Sequence, residues 1–435
     1  MSSLLLLWLA IELVFYVRYR AWVRARSAEP HATYRGTSDA AEALEILWKP
    51  LTSEFPPDMV RNILESWFVG DGDVCYEDVV DLYAWTLHNK RGDGLSRTQR
   101  RAADDMVHKL ERRLGGSFAA GHGGRTPLAY TFEDLQPYYK PLAWFLFQYW
   151  CTCTPVTALV LRPQGFVLRR AGALQYWHRP ARDPDGSAPL VFCHGVGGQG
   201  PYFILCRTLA TSYTGDILLP MFTSSSMVTP PWREPPPCVT PAETVAGLQE
   251  MVRRHAPPGG GALWLGHSIG CAWVAALVRA HPSCVAAATF VDPICFGLFH
   301  GKILHNFLYA RVSGGGTIAP KWYHRLQQFF VSGAPDLQYC FRKQFWWTHY
   351  VLSPSQLPCA ALVILSEYDT VADVGWVSHV LSQRKRRDST LRVEMREGWY
   401  HGAVCFLPAA QRTIVRDTLA LSGSPRVVHT AAGKW

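Results

Sequence analysis

The segment 266–270 reads GHSIG and has the residue types and spacing of a serine nucleophile on a sharp turn. It follows the apolar run 262–265 and leads into the helical stretch 271–281. A nucleophilic serine needs such a strand-to-helix turn to lift its hydroxyl clear of the backbone, and the flanking glycines permit tight packing. The amino terminus of the next helix also favours the negative charge that develops in acyl transfer. The pattern predicts Ser268 as a nucleophile, with a structural turn as the alternative.

Two later segments supply the residue types that activate a serine. His401 lies in a glycine-flanked loop after the last apolar run, and Asp369 follows the run 361–365. A carboxylate at the end of a strand can orient an imidazole and stabilise its cation. The chain order serine, aspartate, histidine is the one used by hydrolases with this strand–turn–helix motif. We expect Asp369 to be the acid, and Asp292, after the apolar run 287–291, is the alternative.

The segment 194–198, HGVGG, follows another apolar run. Glycines let backbone N–H groups converge on one point, as an oxyanion hole requires. We expect the amide of Ile269 to be one donor and that of Val196 or Gly197 to be the other. The alternative is an ordinary glycine-rich loop.

Alternating short apolar runs and helical stretches surround these residues from about residue 165 onward. Strands are predicted at 166–170, 174–178, 190–193, 217–221, 262–265, 287–291, 361–365 and 391–395. Eight strands with intervening helices indicate an α/β fold, in which a mostly parallel sheet is covered by helices on both faces. The first two runs are joined by a short turn and predict an antiparallel hairpin at the edge.

The composition excludes several classes of protein. The chain has 435 residues, of which 48% are hydrophobic and 18% charged, so it can bury a large core and is not a disordered chain. The 43 basic and 34 acidic residues give a net charge of +9, but no basic block is interleaved with aromatics as in a nucleic-acid groove. The twelve cysteines are scattered, which favours reduced thiols in a cytosol-facing protein. We expect neither a metal nor an organic cofactor.

The amino terminus has the composition of a membrane anchor. Residues 4–17 read LLLLWLAIELVFYV, and arginines occupy positions 18, 20, 24 and 26. Fourteen helical residues extend only about 21 Å, less than the roughly 30 Å of a hydrocarbon core. The basic flank predicts that the chain after this helix stays cytoplasmic. We expect residues 1–26 to be a single anchor, and the alternative is a helix that lies in the interface or packs on the protein.

A second apolar run, 141–161, is broken by Pro155 and by polar residues. It could span the membrane, re-enter it or be buried, and we favour a membrane-adjacent or buried segment. It belongs to a helical leader over residues 27–164. The tail is residues 422–435.

Residues 293–358 separate the sixth and seventh predicted strands, where a helical cap is expected. The segment is rich in phenylalanine, tyrosine and tryptophan, mixed with lysine and arginine. Such a composition favours a hydrophobic acyl or lipid site beneath a mobile cover. The alternative is that the aromatic rings pack the cap onto the core.

Together these motifs resemble the α/β-hydrolase fold over residues 165–421. More narrowly, VDPICF at 291–296 and HNFLY at 305–309 are similar to segments of uncharacterised membrane-anchored α/β-hydrolases of fungi and algae. Those proteins often have SHSYG where this chain has GHSIG, a difference that leaves the serine unchanged. The resemblance implies a serine hydrolase with Ser268, Asp369 and His401 as its triad, and it implies no substrate.

We therefore predict a membrane-associated serine hydrolase that cleaves carboxylic esters of lipids or other apolar acyl compounds through an acyl-enzyme. One alternative is an acyltransferase, in which an alcohol replaces water. Another is a binding protein that keeps the fold without catalysis.

Overall fold

The computed structural model describes residues 3–32, 43–44, 46–48, 50–152, 154–183, 186–227, 238–309, 321–357, 360–385 and 390–421. The predicted tail at 422–435 lies outside the described residues.

An eight-stranded sheet forms the centre of the protein. Its strands are β1 (Val167–Ala171), β2 (Leu174–Arg179), β3 (Leu190–Cys193), β4 (Ile217–Met221), β5 (Ala262–His267), β6 (Val285–Val291), β7 (Ala360–Tyr368) and β8 (Leu391–Tyr400). The spatial order is β8-β7-β6-β5-β3-β4-β2-β1. Only β2 is antiparallel to its neighbours, β1 and β4. The predicted sheet, including its edge hairpin, is confirmed.

Burial explains the strand sequences. All side chains of β3 and β5 are buried, as expected for central strands covered on both faces, and both strands read as continuous apolar runs. The edge strand β1 has the sequence VLRRA and is mostly exposed. Arginines on an edge strand discourage pairing with another chain.

Helices cover both faces of the sheet and form the leader. They are α1 (Ser3–Ser27), α2 (Pro57–Ser66), α3 (Tyr76–His88), α4 (Arg97–Leu114), α5 (Leu142–Thr152), α6 (Thr154–Leu161), α7 (Phe203–Ser212), α8 (Pro241–His255), α9 (Ile269–Ala280), α10 (Lys302–Leu304), α11 (Lys321–Gln327), α12 (Pro335–Tyr339), α13 (Val374–Lys385), α14 (Ala403–Phe406) and α15 (Pro408–Ala420). Side chains of α8, α9 and α13 share one hydrophobic cluster with the sheet. Side chains of α7 and α15 share a second cluster.

The leader packs against the segment between β6 and β7. The tilted rings of Trp67 and Trp347 have centroids 4.4 Å apart, and Trp85 contacts Trp346 at 6.0 Å. The indole N–H of Trp67 donates to the carbonyl of Phe299 at 2.8 Å. Leader, cap and sheet therefore belong to one continuous core.

Helix α1 docks on α5 through one face. Phe15 and Tyr19 of α1 are buried against Phe145 of α5. The carboxylate of Glu12 accepts hydrogen bonds from the amide of Leu142, at 3.0 and 3.2 Å, and from the hydroxyl of Tyr139. Glu12 thus caps the amino terminus of α5, which explains an acidic residue in an apolar helix.

Within the described part of the chain, no single helix combines the length and the apolar character needed to cross a bilayer. One bent pair, Leu142–Thr152 with Pro155–Gln164, meets both criteria by length and composition.

Candidate active site

Ser268 occupies a strained turn between β5 and α9. Its backbone φ is 54° and its ψ is −123°, an unusual conformation for a residue with a side chain. The residue is 6% exposed, and its amide donates to the carbonyl of Val291 at 3.0 Å. The geometry is that of a nucleophile elbow, in which a serine stands above the carboxyl edge of the sheet.

The flanking glycines are required by the close approach of α9 to the sheet. A Cβ built on Gly270 would lie 2.1 Å from the carbonyl oxygen of Cys193. A Cβ on Gly266 would lie 3.0 Å from the Cα and the amide nitrogen of Cys271. Any larger side chain at position 270 would push the helix, and with it the serine, away from β3.

The structure brings Ser268, His401 and Asp369 together. Nε2 of His401 lies 3.0 Å from Oγ of Ser268, and Nδ1 lies 2.8 Å from Oδ2 of Asp369. The other oxygen of Asp369 accepts the amides of Val371 and Ala372, at 2.7 and 2.8 Å. The histidine is thus held between a hydroxyl and a carboxylate, as general base catalysis requires.

The alternative acid, Asp292, lies beside this triad. It is 1% exposed with a φ of 47°, and its Oδ1 accepts the amide of Ser366 at 3.0 Å. Its Oδ2 accepts the amide of Gly402, next to His401, at 3.2 Å. The ligand atoms of Asp292, Asp369 and His401 all lie within 4.8 Å of one another. Asp369 makes the hydrogen bond to the imidazole, and Asp292 anchors the histidine loop.

Two carboxylates therefore act on one imidazole. Burial alone would lower the pKa of His401, but the charge and hydrogen bond of Asp369, with the charge of Asp292, outweigh it and raise that pKa to about 9. Burial opposes the charge of Asp292, yet His267, His401 and Ser366 hold the pKa of its carboxyl below the usual range. The site stabilises an imidazolium.

The loop 194–198 lies beside the serine, and its amides have different roles. The amide of Gly197 donates to the carbonyl of Ser225 at 2.8 Å, so the prediction of Gly197 as an oxyanion donor is not supported. Among the described residues, the amide of Val196 has no hydrogen-bond acceptor. The amide of Ile269 is the first of α9 and has no acceptor within the helix. Val196 and Ile269 remain as the pair of candidate donors.

Two buried side chains that the sequence analysis did not identify, Tyr202 and His267, lie between this loop and Asp292. The hydroxyl of Tyr202 accepts the amide of Gly195 at 3.0 Å and lies 2.6 Å from Nδ1 of His267. The Nε2 atom of His267 lies 3.6 Å from Oδ2 of Asp292. No spacing rule identifies Tyr202, since its partners are 7 and 65 positions away.

The cap contacts the histidine loop. The hydroxyl of Tyr323 on α11 donates to the carbonyl of His401, and its ring lies 4.7 Å from that of Tyr400. Cap side chains therefore cover the histidine side of the triad.

A cavity of about 330 Å³ opens at the same edge of the sheet, though no triad residue lines it. Its walls include Trp22, Phe222, Trp273 and Tyr339. Phe222 follows β4 and stacks on Trp273, which lies five residues after the serine.

No family model matches the chain, and no curated protein is similar to it. Among solved structures, it is similar to the carboxylesterase CesB (YbfK) of Bacillus subtilis, with 13% identity and a TM-score of 0.43 over 64% of this chain and 97% of that one. It is similar to the naproxen esterase of Bacillus subtilis, with 12% identity and a TM-score of 0.41 over 63% and 97%. It is also similar to the 2-hydroxy-6-oxo-6-phenylhexa-2,4-dienoate hydrolase of a Rhodococcus strain, with 14% identity and a TM-score of 0.39 over 59% and 99%.

The sheet order, the antiparallel second strand and the strained serine after the fifth strand define an α/β-hydrolase fold. The fold covers β1 to α15, and the leader and α1 precede it.

Proposed function

We propose that the protein is a serine hydrolase that cleaves carboxylic esters. The observation that carries this proposal is the continuous contact from Asp369 through His401 to a serine held in a strained turn. A purely structural serine turn would not require a histidine and a buried carboxylate in line with its hydroxyl.

In the proposed reaction, Ser268 Oγ attacks the ester carbonyl while Nε2 of His401 takes the hydroxyl proton. Asp369 orients the imidazole and stabilises the resulting cation. The amides of Val196 and Ile269 stabilise the oxyanion. The imidazolium then protonates the leaving alcohol, and water, activated by the same histidine, releases the acid. Groups of the chain and water supply every step, so the mechanism calls for no metal or organic cofactor.

The substrate is proposed to be a lipid or another apolar acyl compound. Aromatic side chains line the cavity beside the serine helix, and an aromatic cap covers the histidine. The cavity is also lined by polar and charged side chains, among them Arg170 and Asp336, so the proposal of an acyl chain rests on the aromatic walls and the aromatic cap.

A membrane is the proposed location, with the catalytic domain facing the cytosol. Apolar side chains of α1 are exposed on the face that does not contact α5, among them Leu4 at 78% and Leu13 at 63%. On α5, Phe147 and Trp150 are exposed at 55% and 61%. Exposed apolar side chains on these two packed helices support contact with lipid, and the exposed arginines that follow in α1 support contact with anionic head groups.

Labelling with a fluorophosphonate probe tests the nucleophile. The full chain should be labelled, and Ser268→Ala should abolish the label. Ser382→Ala, on the surface of α13, is the matched control and should label as the unaltered chain does. A folded unaltered chain that takes no label would favour a binding protein without catalysis.

A series of p-nitrophenyl esters of increasing acyl length tests the substrate class. We expect kcat/KM to rise from acetyl to octanoyl or longer esters, because a buried methylene contributes about 0.8 kcal/mol. An added long-chain alcohol separates hydrolysis from acyl transfer, since a transferase would form the new ester in preference to the free acid.

Vesicle flotation of the chain with and without residues 1–26 tests the proposed anchor. Equal flotation of the two would argue against an anchor in residues 1–26.

A further inference from the structure

A second histidine–carboxylate cluster lies far from the triad, at the opposite edge of the sheet. His178 stands near the end of the antiparallel strand β2, opposite Leu218 at the start of β4. Asp216 directly precedes β4, and His255 is the last residue of α8. Three separate elements thus bring two imidazoles and a carboxylate to one place, at the amino ends of the parallel strands.

The distances within the cluster are short. Nε2 of His178 lies 2.6 Å from Oδ1 of Asp216, and Nδ1 of His255 lies 3.9 Å from the same oxygen. The two imidazole rings have centroids 4.2 Å apart. The three candidate ligand atoms all lie within 4.8 Å of one another.

A neighbouring hydroxyl contacts the other ring nitrogen of His255. Nε2 of His255 lies 3.0 Å from the hydroxyl of Tyr176, which stands two residues before His178 on the same face of β2. When Nε2–H donates to that hydroxyl, Nδ1 is the nitrogen with a lone pair. Metal-binding histidines commonly use one ring nitrogen as ligand while the other donates to a partner of this kind.

We propose that His178, Asp216 and His255 form a binding site for a zinc ion, with water in the fourth position. Zinc prefers imidazole and carboxylate ligands at about 2.0–2.2 Å in a tetrahedral arrangement, which separates neighbouring ligand atoms by about 3.4 Å. His255 Nδ1 must approach Asp216 by about half an ångström, and His178 Nε2 must withdraw by somewhat less than one. His178 also shifts to its Nδ1–H tautomer, so that Nε2 presents its lone pair.

The cluster is accessible to solvent, and basic side chains lie near it. The side chains of His178, His255 and Asp216 are 10%, 15% and 23% exposed, so the cluster is largely buried but open to solvent on the Asp216 side. The charges of Arg169, Arg179 and Arg254 act on the cluster. Arg254 is paired with Glu250 and donates to the carbonyl of Arg170, which directs part of its charge away from the cluster.

Such an ion would join α8 to the strands β2 and β4. The contact between Tyr176 and His255 already joins α8 to β2, and a tetrahedral ion would hold the helix end in one position. Because the site lies at the opposite edge of the sheet from Ser268, its expected effect is on stability and not on the chemistry of ester cleavage.

The test uses the full chain in detergent, without a histidine tag and stripped of metal by a chelator. Calorimetric titration with zinc chloride should show one equivalent bound and a rise in Tm, whereas Mg²⁺ and Ca²⁺, which prefer oxygen ligands, should have no effect. His255→Gln and Asp216→Asn should each weaken binding at least tenfold.

His401→Gln serves as the matched control, because His401 belongs to the other cluster that could hold a metal ion, together with Asp292 and Asp369. It should leave zinc binding intact. Loss of binding in His401→Gln together with full binding in His255→Gln would place the ion at the triad and overturn the proposal.

Binding of Co²⁺ to the unaltered chain provides a test that does not depend on whether the variants fold. Visible absorption bands of four-coordinate Co²⁺, displaced by one equivalent of zinc, are the expected result. The absence of both these bands and zinc uptake would equally overturn the proposal.

Discussion

The two carboxylates beside His401 make Asp292→Asn the most informative substitution. Asparagine has the same shape but only one acceptor oxygen, so the change removes a charge and the hydrogen bond to either the amide of Ser366 or that of Gly402. Ester hydrolysis requires neutral His401. Because nearby anions stabilise the imidazolium, the pKa of about 9 in the unaltered chain leaves only about 1% of the imidazole neutral at pH 7. Removing an anion lowers that pKa, so activity should appear at lower pH.

The size of the shift follows from the geometry. Two unit charges separated by 4.8 Å, the limit within which these ligand atoms lie, interact by about 3.5 kcal/mol at an effective dielectric of about 20. That energy corresponds to about 2.5 pH units, and the dipoles that already share the charge of Asp292 reduce the shift. We expect the acidic limb of the kcat/KM profile to move down by about 1–2 pH units in Asp292→Asn. At pH 7 the variant should therefore be the faster enzyme on a short p-nitrophenyl ester, by about tenfold or more.

The comparison with Asp369→Asn separates a charge effect from an orienting one. Loss of the orienting acid in a serine triad lowers kcat by about 10⁴-fold, because the imidazole adopts the wrong tautomer. We expect that collapse for Asp369→Asn and a largely preserved alkaline plateau for Asp292→Asn. A collapsed plateau in Asp292→Asn would show that Asp292 is needed to hold the histidine loop in place, and an unmoved limb would refute the electrostatic reasoning.

Three further substitutions test the packing around the site. Gly270→Ala should lower the free energy of unfolding by about 1–3 kcal/mol, because its Cβ would collide with the carbonyl of Cys193. Differential scanning fluorimetry should show a Tm lower by several degrees. Gly116→Ala is the control and should leave Tm unchanged, because the space around Gly116 is open. Tyr202→Phe should lower kcat by about tenfold with little change in KM. The reason is that the buried amide of Gly195 loses its acceptor, at a cost of about 1–3 kcal/mol. An unchanged kcat would show that the loop is held by other contacts. Glu12→Ala should increase the rate at which a protease cuts between α1 and the leader, and an unaltered cleavage rate would contradict the role of Glu12 as the cap of α5.

The strands and the serine turn were predictable because their determinants are local. Continuous apolar runs identify strands buried on both faces, and all eight predicted runs overlap observed strands. The segment GHSIG carries its own backbone requirement, seen in the positive φ of Ser268 and the close approach at Gly270.

Other parts of the site were not predictable, because they depend on contacts between distant residues. Asp292 and Asp369 each follow a strand, and only the distance to the imidazole distinguishes their roles. The glycine-rich loop indicated an oxyanion hole, but the acceptor of the Gly197 amide lies in a different loop. The zinc-site residues His178 and Asp216 are separated by 38 positions, a spacing that belongs to no motif.

The contact between Trp67 and Trp347 has a practical consequence for anyone who wishes to express the catalytic half alone. A fragment that begins near residue 165 would leave several indole rings of the cap facing water, and such surfaces invite aggregation. Soluble production should therefore start no later than α2, and deletion series that move the start point through residues 50 to 90 should show an abrupt loss of yield once Trp67 is removed.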